Sequence, residues 1–335
     1  RSRKGYVSLM ASIANIEAGV GGKVLALSGG VGGAKLCRGL AARLAVEQLT
    51  IVANTGDDFD YWDLRICPDL DSVMYALADL NDEQRGWGLR DETWRTLIAM
   101  RRLGGDEWFQ IGDQDLATHI LRTQLLRADQ SLSAVTKQIT AGLGIKHILL
   151  PMSEQAVATK VNTDQGWLDF QQYFVRDQCQ PEVRELHFKG ADDAELNPQV
   201  HSLLMDEGLA AIVVCPSNPF VSIDPILSLS GCRRLLREAA APVIAVSPII
   251  AGRAVKGPAA KMMRELNMPA TAFAVAEYYG DLLDGYVLDE ADAHYAEDIE
   301  ALGIKVCVAP TLMTDLSSKI ALADAVLGFA ASYST

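Results

Sequence analysis

The chain has only six cysteines in 335 residues (Cys37, Cys67, Cys179, Cys215, Cys232 and Cys307), and none forms a C-x-x-C pair. Most lie in apolar runs, which argues against zinc ribbons, dithiol redox chemistry and a disulfide-stapled secreted scaffold. A reducing, cytoplasmic setting is expected. No apolar run reaches the roughly 18 residues of a membrane helix, so no membrane partner is expected. Positive charge is also scarce. Thirty Lys and Arg stand against 43 Asp and Glu, a net charge of −13. No basic stripe exists to neutralise a nucleic-acid backbone, although a nucleotide needs only a few local cations. Repeats, low-complexity segments and sharp linkers are absent. Residues 1–22 carry basic residues and then an apolar stretch too weak for a signal peptide, and read as an extension or cloning remnant outside the fold.

Several chemical signatures are missing as well. There is no G-x-S-x-G elbow and no H-E-x-x-H. The glycine-rich stretch Ser28-Gly29-Gly30-Val31-Gly32-Gly33 is not a dinucleotide fingerprint, because Lys35 stands where the third glycine belongs. It is not a P-loop either, since Ala34-Lys35-Leu36 lacks the final glycine and the hydroxyl that would hold magnesium. These absences argue against a nicotinamide oxidoreductase and a P-loop enzyme.

What is present is organised around residues 23–58. A short apolar run, residues 24–27, leads into the glycine turn and then into helical spacing over residues 34–46. Strand, glycine turn and helix in that order aim backbone N–H groups at an anion. A second apolar run, residues 49–53, ends in Asn54-Thr55-Gly56-Asp57-Asp58. In a parallel sheet both loops leave the carboxyl ends of strands, where ligands bind. Pro68 stops any preceding helix, and Asp69-Leu70-Asp71 then opens a helical pattern over residues 72–80. Such carboxylates either cap the helix or supply oxygen ligands to a magnesium ion.

Residues 92–103, 116–127 and 132–143 read as helices, and residues 82–145 as a helical insertion. Within it lie Arg85-Gly86-Trp87-Gly88 and Gly112-Asp113-Gln114-Asp115-Leu116-Ala117-Thr118-His119. Both suggest a binding surface, with His119 equally readable as a packed or capping histidine. Strand patterns return at residues 148–151, in a hairpin over 157–175, and at 183–188, 210–215, 242–246, 285–288 and 305–308. Two of them run into Ser-Pro-type turns, Pro216-Ser217-Asn218-Pro219 and Ser247-Pro248. Lys256 precedes a further helix and supplies a cation. Residues 23–81 and 146–335 therefore form an α/β core around the insertion. Glycine amides, two carboxylate clusters, Ser and Asn turns and Lys35 suit phosphoryl chemistry with a divalent metal.

In order, SGGVGGAKL, NTGDD, ICPDLD, RGWGLRDETW, GDQDLATH, LLPMS, PSNPFVSIDPIL, AVSPIIAG, KGPAAKMM, AEYYGDLLDGYVLD and TLMTD resemble the 2-phospho-L-lactate transferase family of coenzyme F-420 biosynthesis across residues 23–330. The resemblance implies a three-layer α/β/α Rossmann-like core with a mainly parallel sheet and a small helical insertion. It implies a cytoplasmic, magnesium-dependent homodimer. Such an enzyme transfers a phosphorylated three-carbon acid from its guanosine diphosphate ester to the ribityl hydroxyl of the deazaflavin Fo, releasing GMP. By resemblance Gly29, Gly30, Gly32, Gly33, Lys35, Ser217, Asn218 and Ser222 bind the nucleotide. Asp57 and Asp71 are catalytic and hold the metal. Asp71, Gln110, Trp87, Asn54 and Thr55 belong to the substrate site, with the Trp87 ring offering a stacking face.

Three positions depart from the family pattern: Gln110 and Gln114 where relatives carry cations, and Asp224 in place of a glycine. They bear on whether lactate, enolpyruvate or glycerate is carried. A rival group shares only the opening glycine loop. It consists of regulators that bind nucleotide sugars and carry a different acidic loop.

Overall fold

A computed structural model describes residues 21–255 and 257–333. Lys256 and residues 1–20 lie outside the described residues, so the expected cation and most of the expected extension do too. The strands are β1 (Lys23–Ser28), β2 (Leu49–Ala53), β3 (Phe59–Tyr61), β4 (Leu64–Ile66), β5 (Ile148–Pro151), β6 (Ala158–Thr163) and β7 (Gly166–Asp169). They continue with β8 (Val183–Lys189), β9 (Leu209–Val214), β10 (Val243–Val246), β11 (Ile249–Ile250), β12 (Arg253–Ala254), β13 (Gly285–Leu288) and β14 (Lys305–Val308). The helices that matter below are α1 (Gly30–Arg43), α2 (Pro68–Leu77), α3 (Arg95–Arg102), α4 (Asp113–Arg127) and α5 (Leu132–Gly142). Later come α6 (Pro198–Leu204), α7 (Asp224–Leu227), α8 (Cys232–Glu238), α9 (Ala259–Glu265), α10 (Ala272–Tyr279), α11 (Ala296–Glu300) and α12 (Leu316–Ala331).

Seven strands build one sheet in the order β14-β13-β10-β9-β1-β2-β5, with every neighbouring pair parallel. Parallel strands covered on both faces must be apolar on both, which is why they read as continuous runs. Alternate residues serve opposite layers. Leu25, Leu27, Ile212 and Val214 join a core that includes residues of α6, α8, α9 and α10. Val24, Ala26, Ala211 and Val213 join the opposite core with residues of α1, α2, α5 and α12. The result is the expected α/β, Rossmann-like layering.

Topology decides where the site lies. From β1 the chain moves outward through β2 to β5; it then returns to β9 on the other side of β1 and continues through β10, β13 and β14. The turns after β1 and β9 therefore diverge, and a crevice opens between them at the carboxyl edge. Two additions border this edge. One is the three-stranded antiparallel sheet β7-β6-β8. The other is the β3–β4 hairpin, with Trp62 and Asp63 both at positive φ in its two-residue turn. Sequence reasoning missed that hairpin because its turn lacks the Asn-Gly or Asp-Gly pair that usually marks such geometry.

The two diverging turns touch. A Cβ on Gly32 would run into the carbonyl oxygen of Pro216, and Gly30 holds a left-handed φ of 61°. Gly32→Ala is expected to push the β1 and β9 turns apart and lower the unfolding midpoint. An equivalent Gly→Ala change at Gly142, where nothing lies within 4 Å, is expected to leave it unchanged or raised. Urea unfolding of both variants checks this.

Candidate active site

A cavity of about 610 Å³ opens at the crevice. Its floor is the N-terminus of α1. Gly29 caps that helix without a side chain, and the first turn carries no acidic residue, so the helix presents backbone amides and its positive end. Ser217, from the turn after β9, locks this floor in place. Its hydroxyl donates to the Gly29 carbonyl at 2.7 Å and accepts from the Gly29 N–H at 3.3 Å. Asn218 caps the following turn by accepting from the Phe220 N–H at 3.0 Å. Lys35 lines the cavity while donating to the Met313 carbonyl at 2.9 Å. Burial, and then the nearby Lys319, lower its pKa.

Asp57 and Asp69 supply the cavity's carboxylates. Asp69 accepts from the Gly30 N–H at 2.6 Å and from Asn54 Nδ2 at 2.9 Å. Asn54 also donates to the Val221 carbonyl and accepts from the Gly56 N–H, so it ties the acidic loop to both neighbouring turns. Burial outweighs the hydrogen bonds and pushes Asp69 up to about 6. Asp57 is pushed well above its usual range, by burial first and then by Asp69. Its Oδ1 is buried without a hydrogen-bond partner. Among the described residues no Lys or Arg pairs with either carboxylate. A buried acidic pair of this kind, with an orphaned oxygen, fits a divalent cation.

Asp71 does not join them. It lies two residues beyond Asp69 on α2, and that spacing turns the two side chains to different sides of the helix. Both Asp71 oxygens accept from the fully buried Arg122 guanidinium on α4. Arg122 also donates to His119 Nδ1 at 3.2 Å. Arginine has no acceptor, so Nδ1 must be the bare nitrogen and Nε2 carries the proton, 3.3 Å from Asp115 Oδ2. Asp71, Asp115 and His119 are close enough to hold a metal ion together. Arg122 already supplies the positive charge there. The structure thus sets Asp71 with Arg122 and His119, in a buried cross-link between α2 and α4, while Asp57 and Asp69 are the carboxylates that line the cavity.

The opposite end of the cavity is aromatic. Trp87, Trp108, Phe109, Phe170 and Phe174 line it, with Gln110 among them. Only Trp87 and Gln110 were singled out from sequence. The others fall in two separate blocks, 108–109 and 170–174, whose convergence no local pattern reveals. Gln171 joins the two ends, its side-chain amide reaching the Asp57 carbonyl at 3.4 Å. Gly29, Gly30, Gly32, Lys35, Ser217, Asn218 and Ser222 all line the cavity, whereas Gly33, Asn54 and Thr55 stand behind it. Of the three departures, only Gln110 faces the cavity. Gln114 donates to the Asp91 carbonyl, and Asp224 is turned onto Tyr278 and Arg233.

Comparison with known proteins agrees with this arrangement. Residues 24–312 match the family described as 2-phospho-L-lactate transferase CofD. The chain belongs to the CofD family. It is 41% identical to a phosphoenolpyruvate transferase of Kitasatospora aureofaciens, over 92% of this chain and 98% of that protein. It is 39% identical to a 2-phospho-L-lactate transferase of Methanosarcina mazei, over 91% of this chain and 99% of that one. Among solved structures, a UPF0052-family protein of Bacillus halodurans covers 90% of this chain and 99% of its own at a TM-score of 0.59. Its 14% identity speaks for the fold alone. CofD membership identifies the chain as a transferase and disfavours the nucleotide-sugar regulator. No helix among the described residues is long and apolar enough to cross a membrane.

Two outcomes are expected of this CofD-family site. Arg122→Met leaves Asp71 buried and unpaired, and is expected to cost about 3–5 kcal/mol in chemical unfolding. The second concerns pH. Asp69 binds its proton more tightly when folded than when unfolded. Its favourable contribution is therefore complete below about pH 4 and lost as pH rises through about 6. Added magnesium is thus expected to raise the thermal midpoint more at pH 8 than at pH 5. Equal shifts would place the cation away from Asp57 and Asp69.

Proposed function

We propose that the protein transfers a phosphorylated three-carbon acid from its guanosine diphosphate ester to the primary ribityl hydroxyl of the deazaflavin Fo. One observation carries this reading: a single cavity joins a helix N-terminus, a buried acidic pair and an aromatic wall. Phosphates suit the α1 amides, Lys35 and the Ser217–Ser222 turn. A flat heteroaromatic ring suits Trp87 and Trp108. The carboxylates belong to the same cavity as both, and a phosphoryl transfer needs its charge neutralised between donor and acceptor.

In the proposed reaction the hydroxyl oxygen forms a bond to the β-phosphorus. The bond from that phosphorus to the α,β-bridging oxygen breaks, GMP departs with the bridging oxygen, and the hydroxyl proton is released. The product is a phosphodiester, coenzyme F-420-0 or its dehydro form. The α1 amides and Lys35 take up negative charge on the departing nucleotide. Asp57 and Asp69 would hold a magnesium ion, which when bound neutralises phosphate charge. One of these carboxylates also orients the attacking hydroxyl. Asp71 serves by fixing the N-terminus of α2 through Arg122. A homodimer is part of the same proposal on family grounds.

The test offers purified protein Fo, magnesium and GTP with a guanylyltransferase, supplying each three-carbon phosphate in turn and reading products by mass. A phosphodiester of Fo with one acid is expected; no product with any acid would defeat the reading. Asp57→Asn is expected to lower turnover by at least about 10²-fold while leaving the thermal midpoint near that of the parent. A large stability loss would instead assign Asp57 to structure.

A further inference from the structure

Beside the aromatic end of the cavity lies a cation, Arg85, that does not itself line it. Trp87 lies at the rim, 40% exposed, between Gly86 at φ 79° and Gly88 at φ 69°. The backbone of this turn is closed by two hydrogen bonds, from the Gly86 N–H to the Asp82 carbonyl at 2.8 Å and from the Asp82 N–H to the Gly88 carbonyl at 3.0 Å. The indole itself packs on Arg85. Arg85 Nη2 donates to Asp82 Oδ2 at 2.8 Å, and Asp82 Oδ1 accepts from the backbone N–H groups of Gln84 and Arg85 at 3.0 and 2.8 Å. The ion pair is thus fixed to the turn itself. The guanidinium carbon sits 4.9 Å from the centroid of the Trp87 ring and 5.0 Å from that of Trp94. The two indoles are 6.0 Å apart at 65°, and Trp94 is anchored as the residue preceding α3.

A planar cation therefore fills the angle between two indoles, one on the residue that precedes α3 and the other on the cavity wall. Guanidinium is the side-chain group that can do this while also forming a directed ion pair. Arg85 does not line the cavity, whereas the Trp87 indole it packs against does.

We propose that Arg85 is a positioning residue for the acceptor: clamped by Asp82 and packed against Trp94, it holds the Trp87 indole so that its cavity side receives a flat heteroaromatic ring. This rests on the reading of the aromatic end as the deazaflavin site. Because Arg85 acts through Trp87, its removal should weaken acceptor binding without touching donor binding or the chemical step. It should also loosen Trp87 when no substrate is present.

The experiment is a double-mutant cycle of Arg85→Met and Trp87→Ala, read by steady-state kinetics and by acrylamide quenching of tryptophan fluorescence. Arg85→Met is expected to raise KM for Fo about five- to tenfold. KM for the guanosine diphosphate ester and kcat should stay within about twofold. Trp87→Ala should raise KM for Fo at least as much, and the double variant should match Trp87→Ala alone. Arg85→Lys should recover only part of the loss, since an ammonium cannot stack. In substrate-free protein, quenching should increase in Arg85→Met, and by clearly less when the same change is made in the Trp87→Ala background, where only Trp94 still packs on Arg85. If the two losses multiply in the double variant, Arg85 acts independently of Trp87 and the proposal fails. It also fails if Arg85→Met changes neither KM nor quenching. If quenching increases but Trp87→Ala leaves KM for Fo unchanged, the clamp exists and the deazaflavin assignment falls.

Discussion

Two buried carboxylates with no Lys or Arg bonded to them among the described residues, Asp57 and Asp69, set the terms for the rest of the site. Burying such charge is costly, and protein groups elsewhere must hold it in place. Asn54 and the Gly30 amide do this for Asp69. Behind α2, Asp71 is neutralised by Arg122. Asp58, pushed up to about 7 by burial, has Arg65 at 3.8 Å, although neither of its buried oxygens is hydrogen-bonded. The acidic cluster is thereby divided. Asp71 is closed internally by arginine, and Asp57 and Asp69 are left open to the cavity. That division explains how two carboxylates only two residues apart on one helix can take different roles.

The glycine loop follows the same logic. Its helix N-terminus would attract any anion, and the first one it meets is the protein's own Asp69. An incoming phosphate therefore meets amides that already share their field with a carboxylate. Charge neutralisation at the acidic pair and phosphate binding at the helix are thus parts of a single electrostatic problem, and Lys35 contributes to it from the same helix, α1.

Much of this was legible in sequence, and the reason is physical. Parallel strands buried on both faces leave runs that local hydropathy detects; residues 148–151, 285–288 and 305–308 coincide with observed strands. The glycine turn, the acidic loop and the Ser-Asn turn were also readable, because each sits directly after such a strand. What was not readable depended on direction or on distance. Nothing local distinguishes Asp69 from Asp71 until the helix phase is fixed at Pro68 and α4 supplies Arg122. Trp108 and Phe170 stand far apart along the chain, with α4, α5, β5, β6 and β7 between them, and only the tertiary fold makes them walls of one cavity. Asp224, which looked like an added charge near the donor, is carried away by its contact with Tyr278.

The central pairing of β1 with β9 has a further consequence for how the molecule comes to exist. The hydrogen bonds between Gly29 and Ser217 bridge 188 positions of sequence. A closure that long is entropically demanding and slow to find. During synthesis, the N-terminal half can form β1, its glycine turn and α1, but not the opposite wall of the crevice. The site is therefore a late product of folding, and a chain interrupted before residue 209 would carry every residue of the glycine loop without having a place to bind a nucleotide.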